Sequence, residues 1–125
     1  MVHIVFVIDY KTHPGQVIRV CGSSKELGNW TEGYTMTYKD GKCIAEVDIS
    51  TIPFEYKFQV YNCDGHFVEQ WESCENRLFI LCKQADEIVI ESVWNYPDGT
   101  KITAKRAKIV KSTIKKSCSQ EFADL

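Results

Sequence analysis

The sequence predicts an all-β protein, a sandwich of about eight short strands. Three observations carry that expectation. Runs of β-branched and aromatic residues recur at close spacing, each bounded by turn-forming residues. The stretch FEYKFQVY (54–61) alternates apolar and polar residues along its length. Before residue 98 there is no convincing helical pattern.

In chain order, VHIVFVIDY (2–10) reads as the first strand and is stopped by the turn His13-Pro14-Gly15. QVIRVCG (16–22) follows, then a polar loop, SSKELGNWTEG (23–33). YTMTY (34–38) and KCIAEVDI (42–49) are joined around Asp40-Gly41, a dipeptide suited to a tight hairpin. FEYKFQVY ends at Asn62-Cys63-Asp64-Gly65. FVEQWES (67–73), NRLFILC (76–82) and EIVIESVW (87–94) complete the set, and Pro97-Asp98-Gly99 closes the domain. Within 54–61, side chains alternate between faces. Phe54, Tyr56, Phe58 and Val60 form the core set, whereas Glu55, Lys57, Gln59 and Tyr61 face outward. Lys57 thus projects from the outer face of a rigid strand, a good position for a binding group.

A length of 125 residues suits one domain. Residues 1–97 carry 8 Lys/Arg against 14 Asp/Glu, and residues 98–125 carry 7 against 3. The expected organisation is an acidic sandwich over 1–97 and a basic C-terminal extension or linker over 98–125. An acidic compact part argues against nucleic acid as partner. No apolar run approaches the roughly 18–20 residues of a membrane span. The opening MVHIVFVIDYK lacks a basic lead and a cleavage site, so it reads as a strand and not as a signal peptide.

The six cysteines, at 21, 43, 63, 74, 82 and 118, are read as free thiols in a reducing compartment. There is no C-x-x-C pair and no His spacing suited to a metal, so neither metal nor cofactor is expected. G-x-S-x-G, P-loop, G-x-G-x-x-G and H-E-x-x-H patterns are missing, and catalysis within this chain is not expected.

What stands out is the setting of two tryptophans. Trp30 lies in a polar loop between Asn29 and Thr31, and Trp71 lies between Gln70 and Glu72, whereas Trp94 follows an apolar run as a core tryptophan does. Two indoles ringed by polar groups suit a sugar, which offers a C–H face for stacking and an edge of hydroxyls for directed hydrogen bonds. Burying such a face is worth roughly 2 kcal/mol, and each neutral hydrogen bond adds on the order of 1 kcal/mol. The sum predicts millimolar to micromolar affinity, about −4 to −8 kcal/mol. Weak single sites suit a module that holds a polymer at many points.

Four segments in order, V-x-V-C-G-S, K-E-L-G-N-W, F-E-Y-K-F and W-E-S-x-x-N-R, span nearly all of residues 1–97. On these the sequence resembles the family 20 carbohydrate-binding modules, the starch-binding domains. The resemblance implies an antiparallel, immunoglobulin-like β-sandwich of seven to eight strands and non-catalytic binding of α-1,4-linked glucan: starch, glycogen or maltooligosaccharides. It implies that Trp30 and Trp71 form an angled stacking platform, and that Lys57, Asn76 and Glu72 bond the hydroxyls of adjacent glucose units. Arg77 is read as structural. The family's second site, built from loop tyrosines, is reduced here to His13 and Tyr38, so it is expected to be weak or absent.

Asn29-Trp30-Thr31 is the chain's one glycosylation sequon, and a glycan there would crowd Trp30. With free thiols, this points to a cytoplasmic location and to glycogen or a related storage glucan. The resemblance also allows a fused catalytic domain, such as a glucan phosphatase, phosphodiesterase or amylase-type hydrolase. The alternative reading is an intracellular sandwich that binds a protein partner through the same exposed aromatics.

Overall fold

A computed structural model describes residues 1–80 and 85–105. Ten strands are found among them: β1 (Val2–Asp9), β2 (Gln16–Gly22), β3 (Tyr34–Thr35), β4 (Thr37–Lys39), β5 (Lys42–Ile49), β6 (Phe54–Asn62), β7 (Phe67–Trp71), β8 (Arg77–Phe79), β9 (Glu87–Val93) and β10 (Tyr96–Lys105). A three-residue 3-10 turn covers Lys25–Leu27.

The strands form two facing sheets, ordered β10-β9-β1-β5-β4 and β3-β2-β6-β7, with β8 paired to β6 beside β7. Alternation decides which residues lie between them. Ile4, Phe6 and Ile8 of β1, Ala45 and Val47 of β5, and Ile88 and Ile90 of β9 meet Ile18 and Val20 of β2 and the Phe54-to-Val60 series of β6. Aromatic contacts join the two sheets: the Phe6 ring lies 5.5 Å from Tyr56 and 6.4 Å from Phe54.

Several details depart from the sequence-based expectation. YTMTY is not one strand. Met36 is buried and donates its backbone N–H to Ile18, and the chain passes there from β3 in one sheet to β4 in the other. The pairing is antiparallel except between β1 and β9, which run parallel. The chain reaches β9 by crossing from β8 in the opposite sheet, and a crossover admits a parallel neighbour where a hairpin does not.

The boundary at residue 97 is also corrected. Pro97-Asp98-Gly99 lies in a bulge, after which Lys101 to Lys105 pair with Glu91 to Glu87. Residues 98–105 therefore belong to the sandwich as its edge strand. The remainder of the predicted basic extension, with Cys82 and Cys118, lies outside the described residues. Gln59, assigned to the outer face, is on that face but is buried there beneath its neighbours.

Candidate carbohydrate site

The loop after β2 is shaped to present Trp30. Leu27 is fully buried and anchors the loop in the core. Gly28, Asn29 and Trp30 follow with φ of +88°, +49° and +66°, a left-handed run that reverses the chain. Gly28 is required there, because a Cβ would sit 2.5 Å from the Glu32 carbonyl oxygen. The Trp30 N–H donates to the carbonyl of Gly22 at 2.9 Å, tying the loop to the end of β2. Thr31 closes the turn with its N–H and hydroxyl, both donating to the Gly28 carbonyl.

Trp71 ends β7, paired in register with Gln59 of β6. Its ring centroid lies 6.4 Å from that of Trp30, and the ring planes make an angle of 52°. Trp30 is half-buried and Trp71 exposed. Two residues 41 positions apart in sequence thus form one angled aromatic surface.

Lys57 is half-buried and lies on the same outward face of β6 as Glu55 and Gln59. Arg77 pairs with Tyr56, which sets Asn76 level with Lys57. Asn76 is exposed and donates from Nδ2 to Glu55 Oε1 at 3.1 Å. Glu55 is fixed in turn by Ser23, through Ser23 N–H to the Glu55 carbonyl and Glu55 N–H to Ser23 Oγ. The amide of Asn76 is therefore held by the Glu55 carboxylate, level with Lys57 of β6. Glu55 was not among the predicted site residues; its place two positions before Lys57 on an alternating strand was the available signal.

Glu72 requires a correction. It is 2 % exposed and faces away from the aromatic surface. Oε1 accepts from Phe58 N–H and Arg77 Nε, each at 3.1 Å; Oε2 accepts from Arg77 Nη2 at 2.7 Å and from Asn95 N–H at 2.9 Å. Four donors occupy the carboxylate, which leaves no room for a sugar hydroxyl. Glu72 is a positioning residue: it pins the chain next to Trp71 onto β6 and onto the β9–β10 turn. Arg77 is structural, as expected, and also reaches the Val93 carbonyl at 2.7 Å and Thr100 Oγ1 at 3.1 Å.

The suggested second site lies elsewhere. His13 is exposed in the loop preceding β2, and Tyr38 is 45 % exposed on β4, paired with Cys43. Trp30 packs at the far end of β2, so the two candidate sites are separated by the strand, about 20 Å. Among the described residues, no group of three or more His, Cys, Asp or Glu is placed to hold a metal ion, and no helix is long and apolar enough to cross a membrane.

A two-sheet sandwich that displays an angled pair of indoles with flanking amide and ammonium groups has the layout of a carbohydrate-binding module. The family model of the starch-binding domain, carbohydrate-binding module family 20, matches residues 1–90. The chain belongs to this family of starch-binding domains.

Solved structures agree on the fold. A family 15 glycoside hydrolase, the glucoamylase of Hypocrea jecorina, matches with a TM-score of 0.66 and 26 % identity over 74 % of this chain and 17 % of its own. The isolated family 20 module of the maltotetraose-forming amylase of Pseudomonas saccharophila STB07 matches over its whole length and 74 % of this chain, with a TM-score of 0.62 and 21 % identity. The γ-CGTase of alkalophilic Bacillus clarkii gives a TM-score of 0.64 and 22 % identity over 74 % of this chain and 15 % of its own. The chain thus spans less than a fifth of the two enzymes, at 17 % and 15 % of their lengths.

Proposed function

We propose that Trp30 and Trp71 form the stacking platform for an α-1,4-linked glucan, with Lys57 and Asn76 bonding hydroxyls of adjacent glucose units. The observation that carries this reading is the indole pair, 6.4 Å between centroids and inclined by 52°. An inclined pair follows the curve of an α-1,4 chain, whereas a flat β-1,4 chain calls for coplanar rings. Glu72 acts from beneath, by holding Trp71 in place.

The polymer in this proposal is glycogen or a related storage glucan in the cytoplasm, to which the module tethers an attached domain or a partner. Two features support that setting. Cys21, Cys43, Cys63 and Cys74 are free thiols. Asn29 of the sequon is exposed directly beside Trp30, where an attached glycan would obstruct the platform.

Calorimetric titration of β-cyclodextrin into the intact protein and into Trp71→Ala tests the platform. Saturable binding with Kd between millimolar and micromolar is expected. Loss of one stacking surface, roughly 2 kcal/mol, weakens the variant about 30-fold. An intact, folded protein that takes up no β-cyclodextrin at millimolar concentration overturns the reading.

A further inference from the structure

On the same face as the indoles, three strands place Trp71, Gln59 and Arg19 in one cross-strand row. Gln59 is the floor of this row: it is 1 % exposed, flanked by Trp71 on one side and by Arg19 on the other. Its Oε1 accepts from Arg19 Nε at 2.6 Å. The Arg19 guanidinium carbon lies 3.9 Å from the centre of the Tyr61 ring. Gly33 closes over the same side chain, since a Cβ there would come within 2.9 Å of both Arg19 Cβ and Nε.

Arg19 is thus held in one orientation by a buried amide, an aromatic face and a backbone. Yet its two terminal amino groups, Nη1 and Nη2, have no hydrogen bond or ion pair among the described residues. Glu69, on β7 two strands away, does not neutralise it; its carboxylate accepts from Gln16 Nε2 at 2.7 Å and Asn62 Nδ2 at 2.8 Å. A guanidinium with its Nε fixed and its outer fork free is arranged to take two adjacent oxygens. The fork stands on the same face as the proposed stacking surface, so hydroxyls of the same polymer are the oxygens within its reach.

We propose that Arg19, supported by Gln59 and Tyr61, forms a further subsite of the platform, taking the vicinal hydroxyls of a glucose unit beyond those stacked on the indoles. Arg19 lies two strand spacings from Trp71, about 10 Å across the sheet. That distance exceeds one pyranose ring, so the unit that meets Arg19 belongs to a longer chain than the unit on Trp71. The subsite makes the module selective for chain length. It rests on the reading of Trp30 and Trp71 as the glucan platform.

The test compares maltotriose with maltoheptaose, by calorimetry, on the intact protein, Arg19→Ala and Arg19→Lys, each checked for folding by circular dichroism. In the intact protein maltoheptaose binds more tightly than maltotriose. In both variants the ratio of the two affinities falls by about tenfold, the worth of one charged pair of hydrogen bonds. Arg19→Lys retains the stem and the charge but not the planar fork, so it separates recognition from packing. The Arg19 Nε–H resonance of the intact protein provides a second readout, shifting with maltoheptaose and not with maltotriose. If both sugars bind and the ratio and resonance are unmoved, the subsite is overturned while the platform stands. If neither sugar binds the intact protein, the platform fails and the subsite with it.

Discussion

Arg77 grips both oxygens of Glu72, Nε to Oε1 at 3.1 Å and Nη2 to Oε2 at 2.7 Å, and both side chains are buried. The pair sits behind Trp71 and ties β6, β8 and the β9–β10 turn together through Phe58, Val93 and Asn95. Removing one partner leaves the other charged and buried, which costs about 3–5 kcal/mol. Glu72→Gln is therefore expected to lower unfolding free energy by that amount in urea titrations. Were Glu72 instead a sugar contact, the change would stay within about 0.5 kcal/mol, and affinity alone would drop.

Gly28 offers a separate handle on Trp30. Its φ of +88° and the 2.5 Å approach of the Glu32 carbonyl both exclude a side chain. Gly28→Ala must adopt a left-handed conformation costing about 1–2 kcal/mol, in addition to the clash. The loop is expected to relax and carry Trp30 away from Trp71. Affinity for β-cyclodextrin should then fall by at least about tenfold while the circular dichroism spectrum of the sandwich is retained. Unchanged affinity would show that Trp30 does not depend on this turn.

Stability should respond to pH through His3. Its Nδ1 lies 2.8 Å from Asp48 Oδ1 and its Nε2 3.0 Å from Glu46 Oε1, and Glu87 of β9 pairs with it in register. The hydrogen bond to Asp48, then that to Glu46, raise its pKa above 6.5. A raised folded pKa means that the stabilisation is complete below pH 6.5 and is lost as pH rises through the folded value. Solvent reaches this cluster, so the contribution is at most about 1 kcal/mol. The urea midpoint should fall between pH 6 and 8.5 in the native protein, and less so in His3→Gln. Parallel profiles would remove His3 from the account.

The thiols should separate by burial. Burial pushes Cys21 up to about 11, slightly offset by Arg19, and Cys43 likewise to about 11. Cys63 is exposed. Iodoacetamide at pH 8 should label Cys63 in the folded protein and reach Cys21 and Cys43 only after unfolding, as read by peptide mass mapping. Equal labelling of Cys21 and Cys63 would contradict the packing around Arg19 and Gly33.

Some of this is written openly in the sequence and some is not. The period-two pattern of FEYKFQVY declares both the core set and the outward Lys57, and Asp40-Gly41 declares its hairpin. Met36 gives no such notice: a buried apolar residue in YTMTY fits an unbroken strand as well as a passage between sheets. Pro97-Asp98-Gly99 looks like a terminus, yet Thr100 Oγ1 donates to the Pro97 carbonyl at 2.6 Å and the strand resumes. Glu72 was legible in part. With Trp71 facing out, alternation turns its neighbour inward, but an inward carboxylate is credible only once Arg77 and Asn95 are known to await it. That Trp30 meets Trp71 is beyond any local pattern, and only the family resemblance anticipated it.

The edge strand β10 bears on where this module can be joined to another domain. It shields one flank of β9, pairing from Lys101 through Lys105. A fusion joined at residue 97 would strip that flank and expose a row of unsatisfied amides and carbonyls from Glu87 to Glu91. Such a bare edge templates pairing with a second copy. Joined after Lys105, the graft should sediment as a monomer; joined at 97, it should self-associate, turning a sugar-binding cassette into a sticky one.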